Sequence, residues 1–377
     1  MNFRGSMKYV KALGILFCLT VLIFLSCTHY QKVADVFLQP SFREKYERKF
    51  KKEDTLFIKW KNSFEFAKKD SLIIETPYQE QLNNSAITTS AVSYQIPIMK
   101  GEQLIVEIQK TDSIRNIFVD IFSLQSHEKP IIEDFLATEK QEVIRLYHPG
   151  TFQIIIQPEL SDSLSYSVTF DKQPVYTFPV AGKDSKAIES FWGAPRDGGR
   201  RMHKGIDIFA KRGTPVVAAV NGRISSTGNR GLGGKQVWLR DPEKNYSLYY
   251  AHLDSIAVTS FQNVKVGDTL GFVGNTGNAR TTAPHLHFAI YTNYGAIDPL
   301  LFVKEQKEAE QREAILLKEM AEIEKGSNIR NGPGTSYSIL STLSDSIKFA
   351  ILGKTKDWYR IQLTENEYGF VHESLVY

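Results

Sequence analysis

Between residues 94 and 170 the chain alternates apolar and polar positions: Tyr94, Ile96 and Ile98; Leu104, Val106 and Ile108; Ile117, Val119 and Ile121; Phe152, Ile154 and Ile156; Tyr166, Val168 and Phe170. A period of two sends successive side chains to opposite faces, so each run predicts a strand with one face in a core and the other in water. Turn signals such as Lys100-Gly101 and Pro149-Gly150 separate the runs. Several short strands at this spacing predict an antiparallel β-sandwich over residues 55–175. It carries no cluster of reactive side chains and no phosphate loop, and His127 and His148, alone near turns, read as surface residues. Upstream, Phe42, Tyr46, Phe50, Phe57, Trp60, Phe64 and Phe66 are interleaved with bases, but Glu44, Glu47, Glu53 and Asp54 intervene. That stretch reads as a tether over 27–54 leading into the first strands of the sandwich.

The pattern changes three times further on. Residues 176–303 are rich in glycine and β-branched residues, with many short strands and tight turns predicted, and hold four of the eight histidines. Residues 304–325 turn to Lys, Glu, Gln, Ala and Leu without Gly or Pro, and Ala309, Leu316, Met320 and Ile323 fall at helical spacing, which predicts a short helical connector. Residues 326–377 return to short strands and turns, enough for a small barrel. The expected fold class is mostly β throughout.

At 377 residues the chain is too long for one small domain. Its start carries Arg4, Lys8 and Lys11 with no acid, followed by an apolar run over residues 12–25. Those residues fall short of the roughly 20 that span a bilayer as a helix, and they fit the apolar part of a secretion signal over residues 1–26. The run ends in Leu25, Ser26 and Cys27, with Phe24 where Leu is usual. It resembles the lipobox of bacterial lipoproteins, which implies lipidation of Cys27 and an exported, membrane-anchored lipoprotein of the cell envelope, in the periplasm or outer membrane. Removing the signal takes three charges from the formal +4, and 4 − 3 leaves +1. A chain so close to neutral lacks the cationic surface that a nucleic-acid partner requires. Two cysteines exclude a disulfide framework and a zinc site of four thiolates.

The chemistry lies in three separated pieces: His203, Gly205 and Asp207; Tyr250, Ala251 and His252; His285, Leu286 and His287. In a strand, His203 and Asp207 share a face, as do His285 and His287, while Ile206, Ile208, Leu286 and Phe288 point into a core. Imidazole nitrogen and carboxylate oxygen suit Zn²⁺. Three of these five polar groups on a tetrahedral ion would leave a position for water, as hydrolytic zinc sites do. The spacing alone does not say which three.

These residues resemble the lysostaphin-type zinc metallopeptidases of the M23 family. The surrounding sequence agrees, from Pro195, Arg196, Asp197, Gly198 and Gly199 to Gly213-Thr214-Pro215, Gly267-Asp268 and Asn275-Thr276-Gly277. The resemblance implies that His203, Asp207 and His287 bind one Zn²⁺ per chain and that His252 and His285 are catalytic. It also implies that the substrate is peptidoglycan, cut in its peptide stems or crosslinks. Ala283 and Ala289 depart from the family's usual Gly and Glu. Arg196, Arg200, Arg201 and Arg280 are candidates to line a groove for anionic stem peptides, and Asn275 and Thr276 to lie on a loop at the cleft. Asn328 to Tyr337, with Trp358, Phe370 and Val371, resemble a bacterial SH3 domain, which implies a wall-binding module over 326–377. The rival class is a non-catalytic regulator that activates another murein hydrolase, and a complete set of five polar residues argues against it.

Overall fold

The alternating runs fold into eight strands: β1 Tyr78–Ser85, β2 Val92–Ile98, β3 Glu102–Lys110, β4 Ile117–Ser123, β5 Ile131–Ala137, β6 Gln141–Leu146, β7 Gly150–Pro158 and β8 Ser163–Pro174. The computed structural model describes residues 40–85, 90–111, 114–125, 131–139, 141–160, 163–307, 317–364 and 367–377. The expected signal, Cys27, the first part of the tether and His127 lie outside those residues. One sheet runs β2-β7-β4-β5, and β1-β8-β3-β6 lie side by side in another. The two close over Tyr94, Ile96, Val106, Val119, Ile154, Val168 and Phe170, all essentially inaccessible to solvent. This is the predicted sandwich.

The sandwich does not begin with a strand. Thr55–Ala67 is a helix, because Trp60, Phe64 and Ala67 recur at intervals of three and four and form one apolar stripe. The stripe covers the outer face of the first sheet, where the rings of Trp60 and Phe118 meet at 5.8 Å and Phe64 packs with Phe122 and Ile155. Polar groups trapped beneath it are paired: Trp60 donates to the Pro158 carbonyl, and Gln157 donates to the Trp60 carbonyl, each at 2.8 Å.

The segment 176–303 forms an eight-stranded sheet in the order Asn263–Val264, Gly222–Arg230, Gly234–Asp241, Tyr246–Leu253, His285–Thr292, Ile206–Phe209 and Ile188–Ser190, with Gly295–Ile297 on the far end of His285–Thr292. One face buries Ile206, Ile208, Val237, Leu239, Leu248, Tyr250, Leu286 and Phe288. The polar residues between them stand on the other face.

At the C-terminus a small core of Ile323, Ile329, Ile351, Ile361 and Val371 forms as the barrel pattern predicts. The expected connector helix is corrected at both described ends. Residues 304–307 are not helical, and Met320–Ile323 is a strand paired with Ile347–Thr355. Ala321 and Ile323 bury into the barrel while Met320 faces out, an alternation of period two that the charged stretch before it obscures. The barrel is also continuous with the sandwich: β1 pairs antiparallel with Ile347–Thr355, giving one sheet of ten strands. Gly353 permits this approach, since a Cβ there would meet the Gln81 carbonyl at 2.7 Å. Across the seam Arg360, fully buried, makes two bonds to Glu80, 2.7 Å to Oε1 and 2.8 Å to Oε2. The Tyr78 and Tyr94 hydroxyls donate to the same carboxylate. No helix among the described residues is long and apolar enough to cross a membrane.

Candidate metal centre and catalytic cleft

The registers of three neighbouring strands bring the sequence pieces together. Asp207 lies opposite His287, and Phe209 opposite His285, in the pairing of Ile206–Phe209 with His285–Thr292. On the other side of that strand Ala251, next to His252, lies opposite His287. Leu286 and Phe288 anchor the strand below, so the imidazoles between them project from a fixed backbone. Gly205 leaves the room they need: a Cβ there would lie 2.5 Å from the Phe288 carbonyl and 2.8 Å from His287 Cε1.

His203 Nε2, Asp207 Oδ1 and His287 Nδ1 form a triangle with sides of 3.0, 2.9 and 3.0 Å. The ring nitrogen His203 turns away, Nδ1, lies 2.9 Å from the Phe191 carbonyl and must carry the proton to donate there, leaving a lone pair on Nε2. A lone pair and a carboxylate oxygen at this spacing repel unless a proton or a cation lies between them. A tetrahedral ion with ligands at 2.0–2.1 Å needs ligand atoms about 3.3 Å apart, so a small outward shift of each group accommodates zinc. The donor chemistry and the spacing both fit. Burial raises the Asp207 carboxyl, but its contacts with His203 and His287 outweigh that and hold it well below the usual carboxylate range. Its second oxygen, Oδ2, accepts from Arg196 Nη2 at 2.8 Å. Arg196 therefore fixes the carboxylate's rotation, a role the sequence reading missed. The signal available was the Gly198-Gly199 turn, which folds Pro195–Arg196 back on Arg201–Met202 as a hairpin.

His252 and His285 stand beside this triangle. Their rings are 5.1 Å apart, and His252 is 5.8 Å from His287. Each donates its Nδ1 proton to a backbone carbonyl, His252 to Thr276 at 2.9 Å and His285 to Ala283 at 2.8 Å. In the neutral ring this leaves the lone pair on Nε2, the atom that takes a proton. Burial, and then the neighbouring imidazoles of His287 and His285, push His252 down to about 4, so the ring is neutral near pH 7. Burial likewise lowers His287. His252 also has φ +64°, a left-handed conformation that costs a residue with a side chain about 1–3 kcal/mol. Its N–H donates to the Gly233 carbonyl at 2.8 Å, which holds it there.

The five residues line one cavity of about 830 Å³, floored by Trp238, Tyr249 and Tyr291. Arg196, Arg200 and Arg201 line it as well, whereas Arg280 does not. Asn275 holds the adjoining loop through bonds to the Arg280 and Thr282 carbonyls, and Thr276 carries the carbonyl that orients His252.

Residues 201–299 match the model of Peptidase family M23, and residues 325–377 match that of the Bacterial SH3 domain. The L-Ala--D-Glu endopeptidase of Bacillus subtilis is 35% identical over 128 residues, 32% of this chain and 39% of that protein. The DD-carboxypeptidase/endopeptidase Mpg of Neisseria meningitidis serogroup B is 40% identical over 100 residues, 26% of this chain and 22% of that protein. The chain therefore spans less than half the length of these relatives. Among solved structures, the catalytic domain of the antimicrobial peptidase lysostaphin from Staphylococcus simulans is 36% identical, with 30% of this chain and 87% of that one covered and a TM-score of 0.27.

Proposed function

We propose that this chain, which carries a domain of peptidase family M23 and a bacterial SH3 domain, is a zinc-dependent endopeptidase that hydrolyses peptide bonds in peptidoglycan stems or crosslinks. The observation that carries the reading is the 3 Å triangle of His203, Asp207 and His287, with two further imidazoles beside it whose Nε2 atoms keep their lone pairs. A purely structural metal would be closed by a fourth protein ligand and would have no use for the other two rings. Bound there, zinc would acidify a water toward pH 7 and polarise a substrate carbonyl.

The chain's own residues supply the remainder. His203, Asp207 and His287 would hold the ion from three sides and leave the fourth open to the cleft. His252 or His285, whose Nε2 faces away from the backbone carbonyl that holds Nδ1, accepts the proton of the attacking water. The ring that has taken this proton on Nε2 hydrogen-bonds the oxygen of the tetrahedral adduct and then transfers the proton to the leaving amine. Arg196 holds Asp207 Oδ1 toward the ion. The wall of the cleft and its aromatic floor orient the peptide. The SH3 domain binds the wall polymer, and an export signal with a lipid on Cys27 places the enzyme at the envelope beside its substrate.

Metal analysis tests the site itself. The purified chain is expected to hold one zinc per molecule by plasma mass spectrometry, and His203→Ala and His287→Ala to hold less than a tenth of that at the same free zinc. Full occupancy in either variant would remove these residues from the site.

A further inference from the structure

The cleft is electrostatically one-sided. Its lining includes Arg196, Arg200, Arg201 and Lys204 against a single carboxylate, Asp207. All four cations come from one short segment, the hairpin over 195–202 and the residue after His203, so they form one wall. Leu232, Gly233, Asn278, Ala279 and Thr282, from other segments of the lining, bring no ionisable side chain.

The four cations are not equally occupied. Arg196 turns inward, bonded to Asp207 Oδ2 and Ser190 Oγ. Arg201 pairs with Asp197 Oδ2. Arg200 spends only its Nε, on the Asp197 carbonyl at 3.0 Å, which orients the guanidinium without neutralising it. Lys204 is exposed and lies directly beside His203. Arg200, with its Nη groups left over, and the exposed Lys204 thus line the cleft beside the candidate metal residue His203. A guanidinium and an ammonium at a cleft wall are complementary to carboxylates, and charge-assisted bonds to them are the strong kind.

We infer that Arg200 and Lys204 form a carboxylate-binding subsite, which makes the preferred substrate an acidic peptide bearing a free carboxylate on a residue next to the cleaved bond. The inference rests on the peptidase reading and adds to it the substrate's charge. It separates two versions of the same wall peptide, those with a free carboxylate and those in which that carboxylate is amidated. The zinc site does not distinguish them. The cationic wall does.

The test uses the full zinc-loaded chain and two synthetic peptides of identical sequence, one with an acidic residue flanking the scissile bond and one with its carboxamide. The wild type should cleave the acidic peptide with kcat/KM about tenfold higher, corresponding to about 1.4 kcal/mol. In the double variant Arg200→Gln, Lys204→Gln that ratio should fall to near one, and Arg200→Lys, Lys204→Arg should keep most of it. Because these cations are exposed, the wild-type ratio should also shrink as salt is raised. Equal cleavage of both peptides by the wild type, or a ratio that survives the double glutamine variant, overturns the subsite. If neither peptide is cleaved, the peptidase reading fails separately, and calorimetric binding of the two peptides to the same protein decides the subsite, with equal affinities overturning it.

Discussion

His252→Ala should retain one zinc per chain and lose turnover by about 10²- to 10⁴-fold in kcat, the range that a single acid–base group supplies. The geometry separates this residue from the candidate metal ligands. His252 lies beside the triangle of His203, Asp207 and His287, outside it, and its ring is held by the Thr276 carbonyl. Its backbone adds a second readout, since φ is +64° and glycine adopts that conformation without penalty. His252→Gly should therefore be no less stable than His252→Ala in thermal denaturation, while both are equally inactive. Wild-type kcat in either variant would take His252 out of the reaction.

The second large effect concerns stability. Arg360→Met removes the only cation among the described residues bonded to the buried Glu80 carboxylate and leaves that charge, among them, with the Tyr78 and Tyr94 hydroxyls. Breaking a buried pair from one side costs about 3–5 kcal/mol, because the remaining charge stays desolvated. The guanidinium also lies over the rings of Tyr368 and Phe370, 4.5 and 4.7 Å from their centroids, and that contact is lost with it. Urea denaturation followed by circular dichroism should show the drop. The double variant Glu80→Gln, Arg360→Met should recover much of it, since no uncompensated charge remains. The pair joins the sandwich to the barrel, so Arg360→Met should also make the peptide bonds on either side of the seam more sensitive to limited proteolysis. An unchanged unfolding midpoint would mean that the seam contributes nothing to holding the two together.

Much of the site was legible in the sequence because its parts are local. His203 lies in the turn between Arg201–Met202 and Ile206–Phe209, so the turn and not strand parity brings it to Asp207; His285 and His287 sit two apart on one strand, where parity alone puts them on one face. The sandwich was legible for the same reason, since β3 buries Leu104, Val106 and Ile108 and leaves the residues between them partly exposed. What escaped depends on pairings between distant segments or on a competing period. Glu80 and Arg360 are 280 residues apart, and nothing near either predicts that β1 would pair with Ile347–Thr355. The helix Thr55–Ala67 reads as strands in the sequence because its bases and aromatics mask the spacing of Trp60, Phe64 and Ala67. The orientation of Asp207 by Arg196 and the left-handed backbone of His252 come from a hairpin and a loop contact, which residue types alone do not encode.

The claim that this chain is a zinc peptidase of the cell wall is tested most directly on the polymer itself. Purified protein is incubated with isolated sacculi, with chelator, and with chelator followed by excess zinc, and the soluble products are read by mass spectrometry. The account predicts released fragments with new amino and carboxyl termini within the peptide stems or crosslinks, their loss on chelation and their return with zinc. Sacculi left intact by the zinc-loaded protein, or cleavage that persists undiminished with the metal stripped, would contradict it.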